Sequence, residues 1–127
     1  MKNFILYLII IGSLSSCNKS NDNINSGLVG QYKLIEVLAD PGDGSGIFQS
    51  VSSDKKIEFH SDETVTSNGE LCNMGIESNS ATNGTYSLVD STINSTNCNN
   101  LKFELKGNEL IINYPCIEPC RAKFIKQ

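Results

Sequence analysis

His60, the one histidine of the chain, is followed at once by Ser61 and Asp62, the three residue types of a hydrolytic triad. A triad gathers its nucleophile, base and orienting carboxylate from separate elements that converge in space, so three neighbours in one segment cannot form the relay. His60 is instead expected on the solvent face of an extended segment that ends in the Ser-Asp-Glu turn. A second stretch, Asp40-Pro41-Gly42-Asp43-Gly44-Ser45-Gly46, sets two carboxylates among glycines. It lacks the further oxygens and the closing bidentate glutamate of an EF-hand loop, which favours a glycine-permitted turn over a calcium site. Cys72, Cys98, Cys116 and Cys120 are spaced too widely for zinc, and His60 has no neighbour at ligand spacing. Glu58 and Glu104 fall on outward positions, and no carboxylate pair takes acid and base roles. No catalytic residue, metal site or cofactor is assigned, and an enzyme is not expected.

The start of the chain carries chemistry of another kind. Met1-Lys2-Asn3 is a short basic opening, and Phe4 to Ile11 then run without a polar break, the pattern of a signal peptide. A permanent membrane helix needs roughly 20 such residues. Leu14-Ser15-Ser16-Cys17 resembles the lipobox of bacterial lipoproteins. That resemblance implies removal of residues 1–16, a thioether-linked diacylglycerol on Cys17 and a fatty acid such as palmitate on its new amino group. Two or three acyl chains hold far more firmly than one, at about 0.8 kcal/mol per buried methylene. Residues 17–27 are polar and read as a tether, reaching on the order of 15 to 20 Å as a coil. No aspartate follows Cys17, so an outer-membrane lipoprotein is expected, facing either the periplasm or the exterior.

Export places the remaining cysteines in an oxidising compartment, where an even four imply two disulfides. Of the three possible pairings we favour Cys72 with Cys98 and Cys116 with Cys120; the latter two flank an Ile-Glu-Pro turn within disulfide reach. The chain has 127 residues, 39% hydrophobic and 19% charged, which supports one folded domain at residues 28–127. A formal charge of −4 without a Lys/Arg cluster argues against nucleic acid as a partner. A monomer is expected.

Apolar residues in the domain recur at every second position. Leu101, Phe103 and Leu105 alternate with Lys102, Glu104 and Lys106, and similar runs hold Ile57 and Phe59, Tyr86 and Leu88, and Ala122 and Phe124. Strands are expected near 31–38, 55–60, 63–67, 70–76, 84–89, 91–96, 101–106 and 109–114, with a last near 121–126. Turn signals stand at Asn68-Gly69, Asn83-Gly84 and Gly107-Asn108. The fold class is all-β: a small antiparallel eight-stranded up-and-down barrel, with a two-sheet sandwich as the alternative.

Gly30-Gln31-Tyr32-Lys33-Leu34 resembles the Gly-x-Trp opening of lipocalin-like domains, with Tyr32 in place of tryptophan. Arg121 on the last strand resembles the arginine that lies over that ring and closes the barrel. Together with Asp40–Gly46 and Pro115–Cys120, the pattern over about residues 28–126 resembles the small lipocalin-like lipoproteins, of calycin type, common in the Bacteroidota. In such a barrel the Asp40–Gly46 loop, with Phe48 and Val51, would fold over the mouth. Tyr32, Phe59, Tyr86, Phe103 and Tyr114 are candidates to line an apolar pocket. Eight strands leave room either for side chains or for one small ligand, and the modest size of the domain favours a filled interior. Two functions follow: an anchored module for a small hydrophobic ligand, or an envelope inhibitor of lysozyme or protease type, or other protein-interaction module, acting through its mouth loops.

Overall fold

Alternation puts one side of each strand into a common interior, and the registers show how that interior is enclosed. A computed structural model describes residues 27–127. The leader, Cys17 and the tether as far as residue 26 lie outside the described residues. Nine strands follow in order: β1 (Gly30–Ala39), β2 (Gln49–Ser50), β3 (Lys56–Phe59), β4 (Thr64–Ser67), β5 (Thr82–Ser87), β6 (Thr92–Ser95), β7 (Cys98–Lys106), β8 (Glu109–Tyr114) and β9 (Cys120–Lys126).

From β3 onward each strand pairs antiparallel with the next, and β9 returns to β1 from Tyr32↔Lys126 to Ala39↔Cys120. This last ladder closes the sheet into a barrel, so the sandwich alternative falls away. β2 and β3 lie on the same side of β1, β2 against Glu36 and Val37 and β3 against Gly30 to Lys33. They are two parts of one broken stave, which leaves eight staves in the closed barrel. A bulge in β1 between Leu34 and Glu36 bends that strand around the core.

The registers also define two ends. Gly30, Phe59, Thr64, Ser87, Lys106 and Glu109 gather at one, here called the base. Ala39, Lys56, Ser67, Thr82, Ser95, Cys98, Tyr114 and Cys120 gather at the other, the mouth. The base has short turns, and Leu28, 1% exposed, is buried with the core. The mouth carries the long connections.

Two expectations fail for the same reason, close approach of backbone. Residues 70–76 form no strand but part of a long connection across the mouth, with Leu71 fully buried beneath it. A Cβ on Gly69 would stand 2.3 Å from Glu77 O and 3.0 Å from the Lys55 stem, so the chain folds back on itself here instead of extending. Asn83-Gly84 is not a turn but lies within β5. A Cβ on Gly84 would stand 2.2 Å from Asn94 O, so this glycine admits the backbone of β6.

Candidate functional site

The interior is occupied by the protein's own side chains. Tyr32, Phe59, Tyr86, Phe103 and Tyr114 are 0 to 8% exposed. Phe59 is the hub of the first four: its ring centroid lies 6.0 Å from Tyr32 and 5.1 Å from Tyr86, both edge to face, and 5.6 Å from Phe103 in a tilted contact. These four pack as core rather than line a chamber. Four surface hollows of the described residues, beside 98–102, 56–68, 70–80 and 116–121, are lined by none of these four. Tyr114 stands apart, at the mouth end of β8. The Tyr32 hydroxyl donates to Leu28 O (2.8 Å) and the Tyr86 hydroxyl to His60 O (2.6 Å), whereas that of Tyr114 is sealed off with no partner.

Arg121 does not close the barrel over Tyr32. It is exposed and pairs with Leu38 near the mouth, six residues along β1 from the level of Tyr32 and Lys126. Lys126 takes that place instead: its Nζ lies 5.6 Å from the Tyr32 ring centroid and donates to Gly27 O at 2.9 Å. Phe48 does not cover the mouth either. It lies under Lys123 Nζ, 4.4 Å from the ring centroid, and Lys123 also bonds Glu36 Oε2 at 2.5 Å.

What covers the mouth is the 68–81 connection, and the residue that fixes it is Lys55. Lys55 is 1% exposed, and its ammonium donates to Asn73 O (3.1 Å) and Gly75 O (2.8 Å). Ser53 donates to Ile76 O (2.6 Å), and Thr82 Oγ1 accepts from Leu71 N (3.1 Å) and donates to Gly69 O (2.7 Å). Leu71 is thereby held inside. Lys55 shares inward parity with Ile57 and Phe59, a signal present in the sequence but hidden by the polar run around it.

Burial lowers the Lys55 pKa to about 8, partly offset by Glu70. Between pH 8 and 10.5 the unfolded chain therefore holds a proton that the folded chain has lost, and stability rises with pH across that window. The gain is at most about 3 kcal/mol, at 1.36 kcal/mol per pH unit. Above pH 10 the sign reverses. Burial raises the pKa of Tyr32, Tyr86 and Tyr114, so the folded state keeps protons that the unfolded state releases. Urea midpoints measured from pH 7 to 11 should peak near pH 10, and Lys55→Met should flatten the rising limb. A midpoint that falls steadily from pH 8 refutes this.

The four cysteines stand in two pairs at disulfide distance, Cys72 with Cys98 and Cys116 with Cys120, with Cα separations of 5.5 and 5.8 Å. The first ties the mouth connection to the start of β7. The second clamps a small loop between β8 and β9.

The remaining candidates form no site. The Asp40 carboxylate accepts from the amides of Gly42 (2.7 Å), Gly44 (3.0 Å) and Gly46 (2.8 Å), which shapes the loop and occupies its oxygens. His60 Nε2 meets Thr66 Oγ1 at 3.0 Å, and Asp62 accepts from Thr64 N (3.1 Å), so neither serves Ser61. Among the described residues, no group of three His, Cys, Asp or Glu side chains is placed to hold a metal.

No curated protein and no solved structure matches the chain. A family model described as a lipocalin-like domain matches residues 28–120, from Leu28 in the core to the clamp at Cys120. The fold of that family is generally a non-enzymatic binding fold. With its closed eight-stave barrel and a match over well over half its length, the chain belongs to the lipocalin-like domain family.

Proposed function

We propose that the protein is a binding module of the bacterial cell envelope, hung from the outer membrane by lipid on Cys17 and acting through the loops at its mouth. The observation that carries this reading is the occupied interior: Phe59 and its aromatic neighbours fill the base and Leu71 fills the space beneath the mouth, while Ile47, Ile76 and Ile117 stand exposed on mouth loops. The lipobox resemblance at Leu14-Ser15-Ser16-Cys17 supports the anchor. β1 begins at the base, so a tether entering there leaves the mouth on the side away from the membrane. Such a module is an inhibitor or interaction protein, a monomer with no catalytic step of its own.

A second reading, a carrier for a small hydrophobic ligand, draws on the Tyr114 hydroxyl. Sealed without a partner, it is a donor that an oxygen-bearing ligand would satisfy. Native mass spectrometry of protein extracted from membranes in mild detergent tests both. The expected mass is the chain from Cys17 with diacylglycerol and one further acyl group, and nothing bound. Protein that still begins at Met1 and carries no fatty acid refutes the anchor. A stoichiometric small molecule retained by the barrel favours the carrier.

A further inference from the structure

The loop between β8 and β9 is the most exposed apolar feature of the mouth. Cys116 and Cys120 lie 5.8 Å apart at Cα, where four extended steps would span roughly 13 Å, so the segment is a tight knuckle. It cannot lie along a cleft as an extended peptide does. At its tip Ile117 has an exposure of 102%, so it packs against nothing in its own fold.

Single exposed apolar residues are common. What sets this one apart is how firmly it is held. The disulfide clamps the knuckle, and Asp40 N donates to Pro119 O (3.0 Å), joining it to the 40–48 loop. That loop is itself set by the three amides on the Asp40 carboxylate and by Ser45 N on Asp43 Oδ1 (2.9 Å). It carries Ile47, 67% exposed. Two aliphatic side chains thus project from adjoining loops that have little conformational freedom left to lose on association. Asp40 and Asp43 lie on the loop of Ile47 and Glu118 on that of Ile117, with Glu118 reaching toward Gly42; the cations alongside are Arg121 and Lys123, the latter paired with Glu36.

We propose that Ile117, with Ile47 on the adjoining loop, is a preformed knob that docks into an apolar pocket of a second protein, one whose pocket is rimmed by lysine or arginine. The inference rests on the mouth being the working end. A knuckle calls for a pocket, and three carboxylates call for a cationic rim. The same charges oppose an anionic bilayer, and they oppose a second copy of this chain, whose net charge is −4.

Site-specific photocrosslinking in the full-length protein, in cells that produce it, provides the test. Benzoylphenylalanine at position 117 or 47 should give one discrete protein adduct. The same probe at Val89, 95% exposed in the β5–β6 turn at the base, should not give it. With the probe at position 47, Ile117→Asp should reduce the adduct by about tenfold or more, as expected for an aliphatic side chain no longer buried. Glu118→Lys should reduce it further at low salt than at high salt. Ile117 touches nothing in the fold, so folding is not at stake. No adduct at 117 and 47, the same adduct at Val89, a homodimer adduct or a lipid adduct each overturns the proposal. Membrane fractionation of the same cells reads the anchor separately: protein in the membrane without an adduct sinks the knob alone, and protein in the soluble fraction sinks the anchor whatever the adducts show.

Discussion

Phe59→Ala should destabilise the barrel by about 3 to 5 kcal/mol, the cost of emptying a buried aromatic site that its surroundings refill only in part. Phe59 is 1% exposed and makes three of the aromatic contacts in the core, so its neighbours cannot all close the gap. Urea unfolding gives the loss of stability directly. The same variant also separates a packed interior from a carrier's chamber. Once hollowed, the variant should take up benzene and recover part of its lost stability, while the native protein should show no such response. A loss below about 1 kcal/mol, or benzene stabilising the native protein equally, would mean that the interior was open from the start.

Removing the Cys72–Cys98 bridge by the double change Cys72→Ser with Cys98→Ser should cost about 3.5 kcal/mol from loop-closure entropy. The bridge spans a sequence separation of 26, against 4 for Cys116–Cys120, whose loss should cost about 2 kcal/mol. The effects also differ in kind. Without the longer bridge the 68–81 connection keeps the bonds of Lys55, Ser53 and Thr82 and the ties of Asn68 to Lys56 and Asp54 at its start, and Leu71 is freer to leave the core. Hydrogen exchange should accelerate across 68–81 while β8 and β9 remain protected. If exchange in that segment is unchanged, the bridge does not hold the mouth shut.

Much of this architecture was legible in the sequence, because a period of two is hard to mistake where it is clean. Lys102 to Lys106 with Leu101, Phe103 and Leu105 is such a run, and its inward residues are buried or half-buried in β7. Misreadings arose where long-range contacts outweigh local pattern. Asn83-Gly84 has turn chemistry, yet the glycine is there to let β6 approach, a demand set by residues ten positions away. Residues 70–76 look extended, but two carbonyls that a ladder would use, those of Asn73 and Gly75, are taken by Lys55. The cation over Tyr32 is the instructive case. A resemblance pointed to Arg121, whereas parity on β9, with Ala122 and Phe124 inward, already placed Lys126 on the interior side. The exposure of Ile117 carries no signature in the sequence, since an isoleucine between cysteines reads equally well as buried.

The pairing of β1 with strands on both flanks decides how the barrel bears force. Tension on the chain ahead of Gly30, opposed by a load at the mouth, runs along the axis of β1 and loads its ladders to β3 and β9 in shear. Because the rungs of an antiparallel ladder lie across the strands, they then share the strain together instead of opening one by one from an end. A molecule tugged between a support at its base and a partner at its mouth would resist extraction far better than its modest core implies.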